Sequence, residues 1–341
     1  MNEMTLQRTQ SVCLKGTIMK KFKFGIMGAG YISGKFCDAA GMLDHCEVAA
    51  VSSKSMERAK EFAAKNGIRS TYDSYEEMLL QEELDGVYIG VTPDAHYELS
   101  LLCLNYKVPV LCEKAMFLNS AQAREVFGLS RKERVFIMEA MWSRFLPANQ
   151  KAKGWIEDGK IGNTTYGEIG IGFMAPQGEN RYFNPKLGGG AARDITVYAY
   201  ELMTFMISKP VRAMNAAAVW GETEVDVSNH VTLQYDDMLA SLKTTFVAPM
   251  EERMVIYGEQ GKLIVPFPHF ASEAFLYDGQ GNLREHFKDN KTKNGFVYEI
   301  EEVIQCVLDK KIESSVVPHE TTIQCAQMFD AILATKNTIR R

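Results

Sequence analysis

Residues 22–34 have the sequence FKFGIMGAGYISG, in which a short apolar run meets glycines and is followed by a helix-forming segment. A Gly28-x-Gly30 motif between a strand and a helix is typical of dinucleotide sites, because Gly28 permits a tight turn and Gly30 lets the backbone approach a pyrophosphate at the helix N-terminus. The third glycine position of the motif is Ser33, which is small enough for close packing. Glycines also occur in ordinary turns, so a plain turn is the alternative interpretation. Cofactor contacts are expected from Gly28, Ala29, Gly30, Tyr31 and Ile32.

Strand-like and helical stretches alternate from this motif to about residue 140. Strands alternating with helices of roughly 10 to 15 residues predict βαβ units and a parallel sheet that helices cover on both faces. We therefore predict a doubly wound α/β domain of the Rossmann type over residues 21–140. The predicted strands are 24–27, 47–51, 86–91, 108–112 and 135–138.

Beyond residue 140 the segments become rich in β-formers. A mostly antiparallel sheet with helices on one side fits this order, so residues 141–341 are predicted to form a substrate-binding α+β domain with a large open-faced sheet. A monomer rarely leaves so large an apolar face bare, and we therefore expect a homodimer or homotetramer that forms through this sheet. The predicted strands are 164–173, 211–219, 229–235, 239–247, 254–257, 262–265 and 275–277, and the predicted helices are 148–157, 194–206, 297–308 and 319–336.

The composition is that of a soluble globular protein of about two domains, with 341 residues, of which 46% are hydrophobic and 24% charged. Its formal net charge of −5 gives no attraction to nucleic acid or anionic lipid, and neither is expected as a partner. No apolar stretch approaches the roughly 18 residues that span a bilayer. Residues 1–20 lack the apolar region of a secretory signal and are expected to be a poorly ordered extension, with Met19 as an alternative start to Met1.

Cysteines and histidines show no disulfide or metal pattern. The seven cysteines are widely spread, odd in number and without a C-x-x-C pair, which is typical of reduced thiols in a cytoplasmic protein. None of the six histidines has ligand spacing to another histidine or to a cysteine, so no metal site is expected.

The end of the second predicted strand bears on the choice of nucleotide. An NAD site presents Asp or Glu to the ribose 2′-hydroxyl about 20 residues after the glycines. This sequence has Ser53 and Lys54 there, with Arg58 nearby. Hydroxyls and cations suit a 2′-phosphate, so NADP(H) is favoured over NAD(H). In the alternative, Ser55 only caps the next helix and Lys54 is solvated.

Three further motifs carry a family resemblance. They are Cys112-Glu113-Lys114 at a predicted strand end, EAMWSRFLP at 139–147 and GGGAARDITVY at 188–198. Together with the Gly-x-Gly turn, and in this order, they make the chain resemble the Gfo/Idh/MocA oxidoreductases. The last two motifs are most similar to the branch that holds dimeric dihydrodiol dehydrogenase and NADP-dependent xylose dehydrogenase. The resemblance runs from residue 22 to the C-terminus.

The resemblance implies a catalytic set of Lys114, Asp194 and Tyr198. In that branch the tyrosine is the acid–base group, the lysine lowers its pKa or shares its proton, and the aspartate orients the substrate or the lysine. Lys114 follows a strand end, where doubly wound sheets place ligand groups. Asp194 and Tyr198 are four residues apart and share one helix face. An ordinary surface lysine and a core tyrosine are the alternatives.

Two positions depart from the family pattern. The family's Glu-Lys-Pro is Glu113-Lys114-Ala115 here, and because a cis bond before a residue other than proline is costly, we expect a trans bond and a displaced Lys114. Arg193 stands where the family has an apolar residue. It is expected to select an acidic or strongly hydrogen-bonding substrate, or else to pair with a glutamate on the helix surface.

The remaining site assignments also follow from the resemblance. Helix capping or packing is the alternative for His96, a domain-locking ion pair is the alternative for Arg144, and a loop anchored by aromatic residues is the alternative for positions 181–183. Cofactor contacts are expected from Thr92, Pro93, His96, Glu113 and Lys114. Substrate contacts are expected from Trp142, Arg144, Arg181, Tyr182, Phe183 and Tyr198.

The implied function is hydride transfer between NADP(H) and a secondary alcohol or ketone of a sugar, polyol or cyclic diol. Two alternatives stay open. One is a regulator of the same fold that binds nucleotide without turnover. The other is a relative that oxidises a sugar transiently in order to eliminate a glycosidic group. The catalytic set argues against the regulator, whereas Ala115 argues for it.

Overall fold

The computed structural model describes residues 20–176, 178, 180–336 and 339. The expected N-terminal extension, apart from Lys20, and the alternative start at Met19 fall on residues 1–19, which lie outside the described residues. Among the residues that are described, no helix has the length and apolar character needed to cross a bilayer. In the same part of the chain, no group of three or more His, Cys, Asp or Glu side chains is arranged to hold a metal ion.

The first domain is a parallel sheet with helices between its strands. The strands are β1 (Phe22–Met27), β2 (Cys46–Ser52), β3 (Ser70–Tyr72), β4 (Gly86–Ile89), β5 (Val110–Glu113) and β6 (Ile137–Ala140). The helices are α1 (Tyr31–Ala40), α2 (Met56–Asn66), α3 (Tyr75–Gln81), α4 (Pro93–Asn105) and α5 (Ser120–Glu133). The strand order is β3-β2-β1-β4-β5-β6, which reverses between β1 and β4 at the point where such sheets bind ligands. The predicted Rossmann architecture is confirmed, and only the three-residue strand β3 lacks a counterpart among the predicted strands.

Local signals in the sequence explain where these helices begin and end. Ser55 Oγ accepts a hydrogen bond from the Arg58 N–H at 3.3 Å, and Ser74 Oγ accepts one from the Glu77 N–H at 3.2 Å. Each serine therefore satisfies a donor that the first helical turn leaves unpaired. Gly67 ends α2 with a φ of 68°, a conformation that favours glycine.

Over its described residues, the second domain contains an eight-stranded sheet and four α-helices. The strands are β7 (Thr164–Gly172), β8 (Ala213–Trp220), β9 (Asp226–Gln234), β10 (Leu239–Thr245), β11 (Arg253–Gly258), β12 (Gly261–Pro266), β13 (Glu273–Asp278) and β14 (Leu283–Lys288). The helices are α6 (Pro147–Glu157), α7 (Val197–Ile207), α8 (Phe296–Leu308) and α9 (His319–Ala334). The strand order is β14-β13-β12-β11-β7-β10-β9-β8. Neighbouring strands are antiparallel except β7 and β10, which run parallel.

The eight-stranded sheet has one covered face and one open face. Ile169 and Leu242 are buried on the face where α7 packs against β7 and β10. Side chains on the opposite face alternate with them, and there Lys243 pairs with Glu168 at 3.1 Å while Tyr166 is 39% exposed. The predicted open-faced sheet is confirmed. Its open face carries ion pairs and tyrosines, and is thus more polar than the apolar surface we expected.

Arg144 does not reach the substrate cavity described below. Its guanidinium is buried beneath α7, where Nη2 lies 2.8 Å from the Glu201 carboxylate and 3.0 Å from Thr204 Oγ1. Nη1 donates to the Val316 carbonyl at 2.6 Å. The expected substrate contact is therefore replaced by its alternative, an ion pair that locks α7 to the segment before α6 and to the chain that enters α9.

Replacing Arg144 with methionine is expected to lower the free energy of unfolding by about 3–5 kcal/mol, because it leaves the Glu201 carboxylate buried without its counter-charge. Urea denaturation monitored by circular dichroism measures this. The double variant Arg144→Met, Glu201→Leu removes both charges and should recover most of the loss. A single variant within about 0.5 kcal/mol of the wild type would show that the pair contributes nothing.

Candidate active site

A cavity of about 880 Å³ opens at the carboxyl ends of β1, β2, β4 and β5, and residues of the second domain close its far side. This is the switch point at which doubly wound sheets bind ligands. Most of the residues expected at the site line the cavity. They are Gly28, Ala29, Gly30, Tyr31, Ile32, Ser53, Lys54, Arg58, Thr92, Pro93, Glu113, Lys114, Arg181, Tyr182, Asp194 and Tyr198.

Position 28 of the glycine turn requires glycine, and the space beside Gly30 is nearly empty. Gly28 has a φ of +109°, and a Cβ there would lie 2.7 Å from Val91 Cγ1 and 2.8 Å from the Gly90 carbonyl. Gly30 precedes α1, whose first turn has no side-chain cap and no acidic residue. Ser33 Oγ donates to the Gly28 carbonyl at 2.6 Å and holds the turn against the helix. Unpaired N–H groups at a helix N-terminus and a close approach of backbone fit the pyrophosphate of a dinucleotide.

The end of β2 presents a buried hydroxyl and two exposed cations to the same cavity. Ser53 is 5% exposed, while Lys54 and Arg58 are exposed. Within the described part of the chain, neither cation forms an ion pair. Ser55 accepts a hydrogen bond from the backbone N–H of Arg58 and so caps α2, as in the alternative interpretation. The Arg58 guanidinium takes no part in this contact, so the cap and a cofactor contact are compatible. Tyr75, which the sequence did not single out, lines the cavity beside them.

The centre of the cavity holds an ionic cluster that joins the two domains. Lys114 Nζ donates to Asp194 Oδ1 at 3.0 Å and to the Asp194 carbonyl at 2.7 Å. Arg181 Nη1 donates to the same Oδ1 at 2.8 Å. Burial opposes the charge on the aspartate, but the two cations hold the pKa of Asp194 below its usual range. Burial lowers the pKa of Lys114, but Asp194 and Tyr198 together raise it by more, so the ammonium stays charged.

Tyr198 lies one helical turn beyond Asp194 and is 9% exposed. Its hydroxyl accepts a hydrogen bond from Trp142 Nε1 at 3.2 Å, and Lys114 Nζ lies 4.7 Å from the centre of its ring. Burial raises the pKa of Tyr198, and Lys114 lowers it only in part. The phenol is therefore protonated near neutrality. Trp142 lies behind Tyr198 and outside the cavity lining, stacked on Phe296, so it contacts the tyrosine and not the cavity where a substrate was expected to meet it.

The Lys114–Ala115 peptide bond is cis, so the expectation of a trans bond and a displaced Lys114 is wrong. His96 lies beneath this bond and is fully buried, with Nδ1 3.0 Å from the Ala115 carbonyl and Nε2 3.1 Å from the Val91 carbonyl. It is absent from the cavity lining because its ring faces the loops and not the crevice. The expected cofactor contact thus gives way to the packing alternative.

Two residues of the aromatic loop at 181–183 line the cavity, and the third packs away from it. The Arg181 guanidinium stacks 4.2 Å from the centre of the Tyr182 ring, and both residues line the cavity. Phe183 is turned away from the cavity and packs edge-on against Phe246, so it anchors the loop and does not form a substrate wall.

Arg193 lines the cavity and makes no ion pair with a glutamate within the described residues. Its guanidinium donates to the Leu118 carbonyl at 3.2 Å and to the Gly189 carbonyl at 3.5 Å. The side chain therefore ties the glycine-rich loop of the second domain to the first domain, which differs from the expected pairing on a helix surface.

Sequence reasoning missed the cavity wall formed by the segment between β12 and β13. His269 and Phe270 line the cavity there, and Glu252 lies beside them. The segment PFPHF at 266–270 has neither helical nor strand periodicity, so no pattern marked its histidine.

Comparisons with known proteins agree with this geometry. Residues 22–141 match the family model described as the oxidoreductase family with an NAD-binding Rossmann fold, and residues 149–264 match the GFO/IDH/MocA C-terminal domain. The chain is 31% identical to a trans-1,2-dihydrobenzene-1,2-diol dehydrogenase of Xenopus tropicalis, over 91% of this chain and 97% of that protein.

Two solved structures share the fold at low sequence identity. A levoglucosan dehydrogenase in complex with NADH and levoglucosan superposes with a TM-score of 0.85 at 16% identity, covering 94% of this chain and 98% of the other. A 3-ketoreductase from Actinomadura kijaniata in complex with NADP superposes with a TM-score of 0.82 at 20% identity, with the same coverage. From the two family models and the relative of nearly full length, the chain belongs to the Gfo/Idh/MocA family of oxidoreductases.

Proposed function

We propose that this oxidoreductase is an NADP(H)-dependent enzyme of the cytoplasm that interconverts a secondary alcohol and a ketone in a cyclic diol, sugar or polyol. The observation that carries the proposal is the cluster of Lys114, Asp194 and Tyr198, which meets the glycine turn in one cavity. The Xenopus tropicalis relative, a diol dehydrogenase by name, supports a diol among these substrates. The described cysteines are free thiols, which suits a reducing compartment.

The residues of the cluster divide the proton chemistry between them. A bound nicotinamide cofactor supplies the hydride acceptor for oxidation and the hydride donor for reduction. In reduction, the protonated Tyr198 hydroxyl donates its proton to the carbonyl oxygen, and in oxidation the phenolate takes the proton of the alcohol. The charged Lys114 beside the ring stabilises the phenolate, and Asp194 holds the lysine in place. Water has little access to Tyr198, which favours a direct transfer.

Replacing Tyr198 with phenylalanine is expected to lower kcat by about 10²- to 10⁴-fold, because the proton donor is lost. Absorbance of the reduced nicotinamide measures turnover with a panel of ketones, diols and sugars, and fluorescence titration measures NADPH binding. Since burial raises the pKa of Tyr198 above its usual range, the phenol stays protonated at neutral and moderately alkaline pH, so ketone reduction should be nearly independent of pH there. Alcohol oxidation should rise with pH, and the Tyr198→Phe variant should lose this rise.

Tyr200→Phe is the matched control, because Tyr200 lies on the same helix, is buried and binds Gln324 outside the cavity. It should keep the wild-type kcat. Turnover retained by Tyr198→Phe would refute the assigned role. Tight NADPH binding without turnover on the whole panel would instead favour the nucleotide-binding regulator, and product release without net NADPH change would favour the transient-redox alternative.

The preference for NADP(H) is supported by Lys54 and Arg58, which form no ion pair with any residue that the structure describes, and by the absence of an acidic residue at the end of β2. Solved structures of the same fold hold either NADP or NADH, so the fold itself is compatible with both. Arg58→Ala should weaken NADPH binding by about 10- to 100-fold, through loss of a charge-assisted hydrogen bond to the 2′-phosphate, and leave NADH binding within about threefold.

Ser53→Asp should act in the same direction by repelling the phosphate and offering a partner to a 2′-hydroxyl. Calorimetric titration with both cofactors measures each dissociation constant. A ratio of the two constants that neither substitution changes would refute the 2′-phosphate site. Lys60→Ala on the outer part of α2 is the control for loss of a nearby surface charge.

A homodimer or homotetramer through the open face of the eight-stranded sheet is part of the same proposal. The face combines aromatic rings with ion pairs, as in Tyr166, Tyr257 and the Lys243–Glu168 pair. Aromatic residues among satisfied polar groups are typical of interfaces. Sedimentation velocity should show a dimer or tetramer that Tyr166→Arg dissociates, whereas Leu80→Arg, at an exposed apolar position of the first domain, should leave it intact. A monomeric wild type would refute this assembly.

A further inference from the structure

His269 lies at the end of the cavity formed by the second domain. It belongs to a short 3-10 helix, Pro268–Phe270, between β12 and β13, and is 8% exposed. Asn149 Nδ2 donates to the Pro268 carbonyl at 2.8 Å, and the Phe270 N–H donates to the Phe267 carbonyl at 2.8 Å. The backbone that carries the imidazole is thus held on both sides, so the position of the ring is well defined.

The imidazole is next to the proposed acid–base group. Its ring centre lies 5.4 Å from that of Tyr198 and 4.3 Å from that of Phe270, and all three residues line the cavity. The imidazole and the Phe270 ring therefore border the part of the cavity that lies next to Tyr198.

The ring nitrogens of His269 have no hydrogen-bond partner in the described part of the chain, and Nδ1 is fully shielded from solvent. His319 also has an unpaired Nδ1, but each of the other buried histidines contacts a carbonyl through at least one nitrogen. His96 contacts carbonyls through both nitrogens, and His319 contacts the Ile137 carbonyl through Nε2. Buried polar atoms are nearly always paired. Because Nδ1 is shielded, Nε2 is the nitrogen left for a ligand, and its lack of a described partner in the wall of a cavity points to a partner that the ligand supplies.

The charge state of His269 limits what that partner is. Burial, together with the nearby Lys114, whose effect Asp194 offsets only in part, lowers the pKa of His269 to about 4. Near neutrality the ring is uncharged, with one nitrogen that donates and one that accepts. A neutral imidazole beside the charged Lys114 suits a hydroxyl, which can accept or donate, better than a carboxylate, which would bind the cations of the cluster.

We propose that His269 binds a second hydroxyl of the substrate, on the carbon next to the reacting one, and so selects vicinal diols over simple alcohols. This inference rests on the proposed function, since it assumes that Tyr198 serves the reacting oxygen. His269 is on this account a specificity-determining residue and takes no part in proton transfer. Phe270, which is 61% exposed and lies against the imidazole, supplies an apolar surface for the carbon ring that carries the two hydroxyls.

The test compares trans-cyclohexane-1,2-diol with cyclohexanol, each with NADP⁺, in the wild type and in two variants. His269→Phe keeps a ring against Tyr198 and Phe270 but removes both nitrogens. His269→Gln keeps a donor and an acceptor. In His269→Phe, kcat/KM for the diol should fall about 10- to 100-fold more than that for cyclohexanol, mainly through KM, and His269→Gln should recover the greater part. His45→Phe, at an exposed position of the first domain, is the control for replacing a histidine.

A second measurement does not depend on turnover. Binding of each alcohol to the NADPH-loaded protein, followed by quenching of NADPH fluorescence, should be tighter for the diol than for cyclohexanol, and His269→Phe should abolish the difference. Equal losses for both alcohols would indicate a structural role and overturn the inference, as would diol binding that is no tighter than cyclohexanol binding in the wild type. If the wild type oxidises neither alcohol yet binds the diol through His269, the proposed function fails for these substrates while the hydroxyl site stands.

Discussion

The arrangement of the active site depends on the buried contact between Lys114 and Asp194. The lysine follows the last residue of a strand in the first domain, and the aspartate lies on a helix of the second, so this contact sets how the two domains meet at the reacting position. The side chains are 14% and 12% exposed, which makes their attraction stronger than that of a surface pair. Arg181 shares the same carboxylate oxygen and extends the cluster toward the cavity mouth.

Around this contact, the cavity combines a charged side with an apolar one. Tyr198 belongs to both, because its ring faces the Lys114 ammonium while its hydroxyl is held from behind by Trp142. Its environment therefore keeps the phenol neutral at rest and stabilises the phenolate when it forms. The imidazole of His269 and the ring of Phe270 complete the cavity wall. The imidazole can form hydrogen bonds, and the Phe270 ring offers an apolar surface.

The fold and the centre of the site could be predicted from sequence because they depend on local patterns. The carboxyl ends of parallel strands lie at the same edge of a sheet. The alternation of strands and helices therefore predicted that Gly28 and Lys114 lie near one another. Side-chain direction is set by distant contacts, which explains why Arg144 and His96 turned out to face partners in the interior. His269 was missed because it lies in a segment without periodicity, and the contact between His96 and the Ala115 carbonyl joins residues 19 positions apart, which no local pattern reveals.

The parallel pairing of β7 and β10 has a consequence for how the pocket can vary. The chain between these adjacent central strands carries the aromatic loop, the glycine-rich loop, Asp194 and Tyr198. This long connection begins and ends at central strands of the sheet, whereas β13 and β14 lie at one edge of it. Changes of length or sequence in residues 173–191 therefore reshape the substrate side of the cavity within a fixed frame. Exchange of this loop would change the wall that Tyr182 forms and remove the Arg181–Asp194 pair, whereas Lys114, Asp194 and Tyr198 lie outside it.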